Sequence, residues 1–287
     1  MKSNMASPTS TQEAQEQLRQ HFEVERELAT RLRDSTREER VTLVSELYSE
    51  LYKRVPQHPR TLRTGDKEAS LRSVASQLRL LKPFLIPGVS LAEFGAGSGA
   101  LAKSVARDFP VSRVVALEVC EQTGADVDLP EKFRWQHYDG LSAPLNQQSI
   151  DVAFSYQVLE HMHPDDVPVH LSEVARILKD NGVYVLSTPH EASGPHDVSR
   201  YFGLQLQTFH LREWSYRAIE KALFEAGFKK VQLYWRGKVR TSHGFIHSLI
   251  LALESFLALL PRAATVHLAR KCLNNVILVA HKESSAK

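Results

Sequence analysis

Gly95-x-Gly97-x-Gly99 follows an apolar run, Val89 to Phe94, and the helical pattern of Gly99 to Asp108 begins at once behind it. Glycine lets a backbone turn tightly and lets a ligand approach it closely. A helix that starts behind such a turn aims its N-terminal amides, and the positive end of its dipole, at whatever rests there. The combination predicts a nucleotide-type cofactor site at the carboxyl end of the first strand of an open α/β sheet. Glu118 closes the next apolar run. An acid at that strand end can accept hydrogen bonds from both hydroxyls of a ribose; the plainer alternative is a surface glutamate. Gly95, Gly97 and Ala100 also satisfy G-x-G-x-x-G/A, so the turn alone does not choose between cofactors.

Glu93 makes the choice. Read at the mouth of the site, its carboxylate opposes the pyrophosphate of a dinucleotide and suits a cationic ligand. S-adenosylmethionine carries a sulfonium and an ammonium and no phosphate. The pattern Glu93-x-Gly95-x-Gly97-x-Gly99 resembles the first motif of the class I S-adenosylmethionine-dependent methyltransferases. Ile150-Asp-Val-Ala-Phe-Ser-Tyr-Gln-Val-Leu-Glu-His161 resembles the fourth motif of the small-molecule branch of that family, the branch acting on ubiquinone-, sugar- and lipid-type acceptors. The resemblance extends from Phe84 to Trp235 and includes the final strand.

The resemblance implies roles for individual residues. Glu93, Gly95, Gly97, Gly99 and Glu118 hold S-adenosylmethionine. Asp139 receives the adenine amino group, although Asp139-Gly140 is also what a simple turn requires. Ser155, Tyr156 and Gln157 leave the fourth strand at the methionine end of the cofactor. His161 is the first candidate for a general base, since an imidazole titrates near neutrality; the competing reading packs it under a lid or at a helix cap. His196 is the second candidate. His190, His196, Arg200 and His210, in and after the loop behind the fifth strand, form an acceptor-binding set. The histidines lack helical i,i+4 spacing, so no metal site is expected. Two other classes remain open. One is a non-catalytic binding or scaffold protein on the same fold, and the other a nicotinamide-dependent oxidoreductase.

No Asn/Asp-Pro-Pro-Tyr-type tetrapeptide follows the fourth strand; Ser155-Tyr-Gln-Val158 stands there instead. That argues against amide or base nitrogens as acceptors. It favours an oxygen, or a carbon, of a small molecule, a sugar or a lipid-linked compound.

The composition is that of an ordinary globular chain. Lys and Arg number 36 against 33 Asp and Glu, and the signs are interspersed. No concentrated basic run marks a nucleic-acid partner. Cys120 and Cys272 are the only cysteines and have no zinc or redox spacing, which reads as a reduced, cytoplasmic protein. The first residues lack an apolar signal core, and neither a prenylation nor a myristoylation signature is present.

The elements that must position these residues follow from periodicity. Residues 1–11 read as a disordered tail and 12–83 as a helical extension: Gln12 to Asp34, then a helix opened by a capping box at Ser35-Thr36-Arg-Glu-Glu39, then Lys67 to about Leu81. In this fold class such an extension usually packs over the cofactor pocket. Residues 84–236 are the cofactor-binding core. Strands are expected at Val89–Phe94, Arg113–Val119, near Phe133–Tyr138, at Ile150–Tyr156, Val183–Thr188 and Phe228–Trp235. Helices are expected at Gly99–Asp108, Asp165–Lys179 and Ser215–Ala226. Residues 274–287 hold the last strand, Asn275–His281, and a tail. The alternation is that of an open, doubly wound, mostly parallel seven-stranded sheet, a Rossmann-like methyltransferase fold with a helical N-terminal extension and a helical insertion before the last strand. Glu121 to Lys132 is too short for a full crossover helix, so either that crossover is trimmed or the third strand lies elsewhere.

The insertion, residues 237–273, departs from the family pattern. Phe245 to Leu260 puts Ile246, Leu249, Ile250, Leu253, Phe256, Leu257 and Leu260 on one helical side and His247, Ser248, Glu254 and Ser255 on the other. Lys238, Arg240, Arg262, Arg270 and Lys271 flank it. Two readings stand: helices that pack on the domain or on a second copy in a homodimer, or a surface for peripheral membrane association and a lipid-linked acceptor.

Overall fold

The computed structural model describes residues 11–59, 66–120, 129–235, 239–242 and 244–283. An eight-stranded sheet forms its centre: β1 (Ser90–Phe94), β2 (Arg113–Glu118), β3 (Phe133–His137), β4 (Ile150–Tyr156), β5 (Leu178–Pro189), β6 (Lys230–Trp235), β7 (Val239–Ser242) and β8 (Asn275–His281), in the order β3-β2-β1-β4-β5-β8-β6-β7. The strands from β3 to β5 run parallel; β8 is antiparallel to both of its neighbours, β5 and β6. These are the seven strands expected, with one addition. β7 falls in the stretch read as helical and pairs antiparallel with the edge of β6, Trp235 opposite Val239. The third strand is where the sequence put it, paired in register with β2. The crossover before it, residues 121–128, and the tails 1–10 and 284–287 lie outside the described residues.

Alternation across β1 divides the core. Ala92 and Phe94 face a cluster built with α5 (Val167–Ile177), α6 (Tyr216–Glu225) and the insertion helices α7 (Phe245–Ala258) and α8 (Arg262–Ala269). Leu91 faces a cluster built with α3 (Lys67–Leu81) and α4 (Ala100–Asp108). All five residues of β1 are buried. Burial on both faces is what a central parallel strand requires. The chain winds outward from β1 in both directions, so the crevice at the carboxyl ends of β1 and β4 is the switch point where such sheets bind ligands.

Over that crevice lies a separate helical pair, α1 (Thr11–Arg33) and α2 (Arg37–Arg54). The predicted capping box is present: the Thr36 hydroxyl accepts from the Glu39 amide, and the Glu39 carboxylate accepts from the Thr36 amide at 2.7 Å. Leu28, Leu32, Leu47 and Leu51 form the seam of the pair and close on Phe209 and Leu211 of the core. Charge fixes the docking. Asp166, buried, receives the Arg40 guanidinium at 2.5 and 2.9 Å and Arg37 Nε at 3.0 Å. Burial alone would raise the Asp166 carboxyl; the two guanidiniums more than offset it and hold it below its ordinary value. Arg33 adds donations to the carbonyls of Gln207 and Thr208.

The insertion corrects the sequence reading of its faces. Glu254, expected on the outer polar side of α7, is buried; its carboxylate accepts from the Tyr216 amide at 2.6 Å, at the start of α6, and bonds His190 Nε2 at 2.7 Å. His247 pairs with Glu220. Glu254 therefore faces inward beside buried Ile250 and Leu257, where a helix N-terminus rewards a carboxylate, while Ser248 and Ser255 of the same polar side are exposed. Part of the apolar side faces outward: Phe245 is 83% exposed, Leu249 50%, Phe256 55% and Leu259 83%. Arg262 and Arg270 are turned to carbonyls of Ala192, Ser193 and Gly194. No helix among the described residues is long and apolar enough to cross a membrane.

Candidate functional site

A cavity of about 310 Å³ opens at the carboxyl ends of β1, β2 and β4. Gly95 and Gly97 line it, with φ of 67° and 59°. The left-handed region costs any residue with a Cβ, so the turn needs glycine here. A Cβ on Gly95 would also stand 2.5 Å from Val158 Cγ2. Gly99 serves differently. It caps α4 at φ 69° and a Cβ there would strike the Trp135 ring at 2.7 Å; it does not line the cavity but lets the helix close on β3.

Glu118 lies on the cavity wall at the end of β2, as expected. Its Oε2 accepts from the Gly97 amide at 2.6 Å, and its Oε1 from the amides of Val119 and Cys120 at 3.0 and 3.2 Å. One carboxylate thus ties the glycine turn to the second strand and presents acceptor oxygens where a ribose would lie. Asp139 also lines the cavity, and the turn reading holds as well: its Oδ1 accepts from the Leu141 and Ser142 amides at 2.8 and 2.6 Å. Val119, Tyr138 and Leu141 give this end the apolar walls a purine ring needs.

Tyr156 and His161 complete the expected lining. Between them Gln157 takes φ 57°, a left-handed conformation in a non-glycine residue. Such positions cluster where a ligand is gripped. His161 ends a single 3-10 turn, Leu159–His161, and its Nδ1 donates to the Phe209 carbonyl at 3.1 Å. From the helical extension come Arg40, Val44, Tyr48 and Ser73, which cover the cavity as the sequence reading expected, although periodicity did not say which side of α2 would do it. Gln157 lines the cavity as expected; Met162 and His163 were missed, and only their position after a strand end could have pointed to them.

The remaining expectations are corrected. Glu93 does not face the cavity. It is buried beneath the turn, accepts from the Ala102 amide, and has no partner for Oε2 among the described residues. Burial, with the charge of Glu118 adding to it, pushes its carboxyl up to about 8. Ser155 is buried and bonded to the Tyr184 hydroxyl at 2.6 Å, so it belongs to the core. His190 is spent on Glu254. His196 and His210 share Glu213, at 3.1 and 2.8 Å. His196 and Arg200 line a second cavity with Tyr201 and Arg270, apart from the first. Of the acceptor set, none lines the cofactor cavity; His210 comes nearest, its ring centroid 4.8 Å from that of His161.

The state of Glu93 has a measurable consequence. Its pKa in the folded protein, about 8, lies above the 4.5 of an ordinary glutamate in water. The protein therefore binds this proton more tightly when folded, and the associated stability is present below pH 4.5 and lost as pH rises toward 8. Glu93→Gln is expected to match the wild type at pH 4.5 and to exceed it by a few kcal/mol, on the order of 1.4 per pH unit, at pH 8. Urea melts at the two pH values measure it. An equal offset at both would mean that the carboxyl stays ionised.

Comparison with known proteins agrees with this geometry. A family model described as "Methyltransferase domain" matches residues 92–186. A Mycolicibacterium smegmatis protein named "Probable S-adenosylmethionine-dependent methyltransferase" is 31% identical over 143 residues, which are 50% of this chain and 52% of that protein. A Mycobacterium tuberculosis protein with the same description is 30% identical over 145 residues, covering 48% of this chain and 47% of its own length. The chain thus spans about half the length of the curated relatives it matches. Among solved structures, a chain from the complex with the Haloferax volcanii Trm112 methyltransferase activator is similar in fold. Its TM-score is 0.52 at 15% identity, over 76% of this chain and 95% of that one. Haemonchus contortus phosphoethanolamine N-methyltransferase 2, solved with phosphomonomethylethanolamine and S-adenosylhomocysteine, aligns with a TM-score of 0.50 at 16% identity, over 73% of this chain and 53% of its own.

Proposed function

We propose that the chain is built on a class I S-adenosylmethionine-dependent methyltransferase core and transfers a methyl group from S-adenosylmethionine to an oxygen, or a carbon, of a small-molecule, sugar or lipid-linked acceptor. The observation that carries this reading is the cavity itself: a left-handed glycine turn, a strand-end carboxylate and an apolar slot, all on one wall. Glu118 and Asp139 offer oxygens to the hydroxyl and amino donors of the cofactor's nucleoside. The electrophile is supplied by the cofactor's sulfonium, so no enzyme nucleophile is required.

This chain's residues supply position and shelter. Gly95, Gly97 and Glu118 hold the nucleoside end. Tyr156 and Gln157 shape the other end. Val44 and Tyr48 of α2 exclude water from above, and alignment of this kind contributes roughly 7–11 kcal/mol at best. A hydroxyl acceptor must lose its proton, and His161 is the imidazole on the wall at that end. Ser155, at the head of the segment where nitrogen-directed enzymes carry their tetrapeptide, is buried, which supports an oxygen or carbon acceptor. The test is incubation with S-adenosylmethionine and panels of phenols, sugars, lipid-linked acceptors and amines, read by mass spectrometry. A product heavier by one methylene, formed only on amines, would overturn the acceptor class.

The outward stripe of Phe245, Leu249, Phe256 and Leu259 supports a peripheral membrane contact for the same protein. Wild type is expected to co-sediment with anionic vesicles, and Leu249→Asp with Phe256→Asp to remain in the supernatant while keeping its circular dichroism. Wild type that stays in solution and runs as a dimer in light scattering would assign the stripe to a second copy instead.

A further inference from the structure

Behind His161 lies a cluster that the reading above does not use. Glu160, His161 and His210 each bring one ligand-type atom to within 4.8 Å of the others. Glu160 is fully buried. Its Oε2 accepts from the Thr188 hydroxyl at 2.9 Å, while its Oε1 has no hydrogen-bond partner among the described residues. A buried carboxylate oxygen left unpaired is costly, and such a group either takes a proton or meets a cation. Both imidazoles are oriented for one. His161 Nδ1 donates to the Phe209 carbonyl at 3.1 Å, and His210 Nδ1 donates to the Glu213 carboxylate at 2.8 Å. A neutral imidazole held in this way carries its lone pair on Nε2, the tautomer that ligates a metal. This is the outer-sphere arrangement that orients histidines on a metal. The cluster is also held rigidly, because the Glu160 carbonyl accepts from the Leu211 amide at 2.7 Å. A second group, His21, Glu25 and His58, is close enough but spends both Nε2 atoms on one Glu25 oxygen, at 2.7 and 3.1 Å.

We propose that Glu160, His161 and His210 bind a divalent transition-metal cation behind the wall of the cofactor cavity, which His161 alone of the three lines, and that an open position of the cation on that side takes the hydroxyl oxygen of the acceptor. The acceptor role rests on the methyl-transfer reading; the metal site does not. Two imidazoles and one carboxylate suit Zn²⁺, Co²⁺, Mn²⁺ or Fe²⁺ and leave coordination positions vacant for a ligand. The cation lowers the pKa of a bound hydroxyl. That hydroxyl gives its proton to water, its lone pair forms the bond to the methyl carbon, and the carbon–sulfur pair returns to sulfur as a neutral thioether. His161 is then a ligand and not a free base.

The test uses the full chain, stripped with a chelator and titrated with Co²⁺, whose visible absorption reports imidazole and carboxylate ligation. One equivalent is expected to bind. Glu160→Gln and His210→Gln are expected to weaken it about tenfold or more, and His58→Gln to leave it unchanged, with circular dichroism confirming that each variant folds. Absence of saturable Co²⁺ by folded wild type overturns the site. Binding that survives Glu160→Gln and is lost in His58→Gln overturns it too, and places the ion in the helical extension. Calorimetry with S-adenosylhomocysteine on the stripped protein separates the two claims. A Co²⁺ spectrum without nucleoside binding would refute the methyl-transfer reading and keep the metal; nucleoside binding without a Co²⁺ spectrum would do the reverse.

Discussion

Gly97→Val is expected to abolish S-adenosylmethionine binding, a loss of at least about a hundredfold, or roughly 2.7 kcal/mol. Gly97 lines the cavity at φ 59°, and its amide is held by Glu118 at 2.6 Å. A branched side chain there occupies the space of the ligand and disfavours the backbone of the turn. The strain is about 1–2 kcal/mol, small beside the roughly 5–15 kcal/mol that holds a domain together. The variant should therefore melt cooperatively, slightly below wild type, and give no heat with S-adenosylhomocysteine in calorimetry. Unchanged affinity would remove the glycine turn from the site.

Arg40→Ala is expected to produce the largest loss of stability. It leaves Asp166 buried with Arg37 alone, whose side chain is 47% exposed. Stranding a buried charge costs about 3–5 kcal/mol. Because the pair joins α2 to the core, the α1–α2 pair should loosen first and become open to proteolysis near residues 34–36, while the sheet stays folded. Removing both charges, as Arg40→Met with Asp166→Leu, should cost less than Arg40→Ala, since no carboxylate is then stranded. A double variant worse than the single would show that packing and not charge docks the pair. Cofactor affinity is expected to fall with Arg40→Ala, because Arg40, Val44 and Tyr48 form the cover.

What the sequence made legible was local. The glycine turn, the strand-end Glu118, the Thr36–Glu39 capping box and the strand at Phe133 are each set by residues within a few positions of one another, and short-range chemistry decides them. The misreadings share a different cause. His190, His196 and His210 look like a binding set when seen as a loop, but His190 is taken by Glu254 of the insertion, and His196 folds back onto Glu213, a carboxylate it shares with His210. A helical wheel of α7 puts Glu254 on the polar side; it does not say that this one carboxylate meets the N-terminus of α6 and is buried there. Glu93 was read as a charge facing the ligand because strand alternation gives a face and not a depth, and its burial under the turn is a tertiary fact. Glu160 went unread for the same reason: its value lies in an oxygen without a partner.

The central claim is that this cavity holds S-adenosylmethionine. Calorimetric titration of the full chain with S-adenosylhomocysteine tests it most directly, with NAD(H) as the contrasting ligand. One saturable site for the first and none for the second is predicted, and Glu118→Ala should weaken the first by at least about tenfold, since it removes acceptors worth roughly 1.5–3 kcal/mol each. Saturable NAD(H) binding, or no heat from S-adenosylhomocysteine with the protein folded, would contradict it.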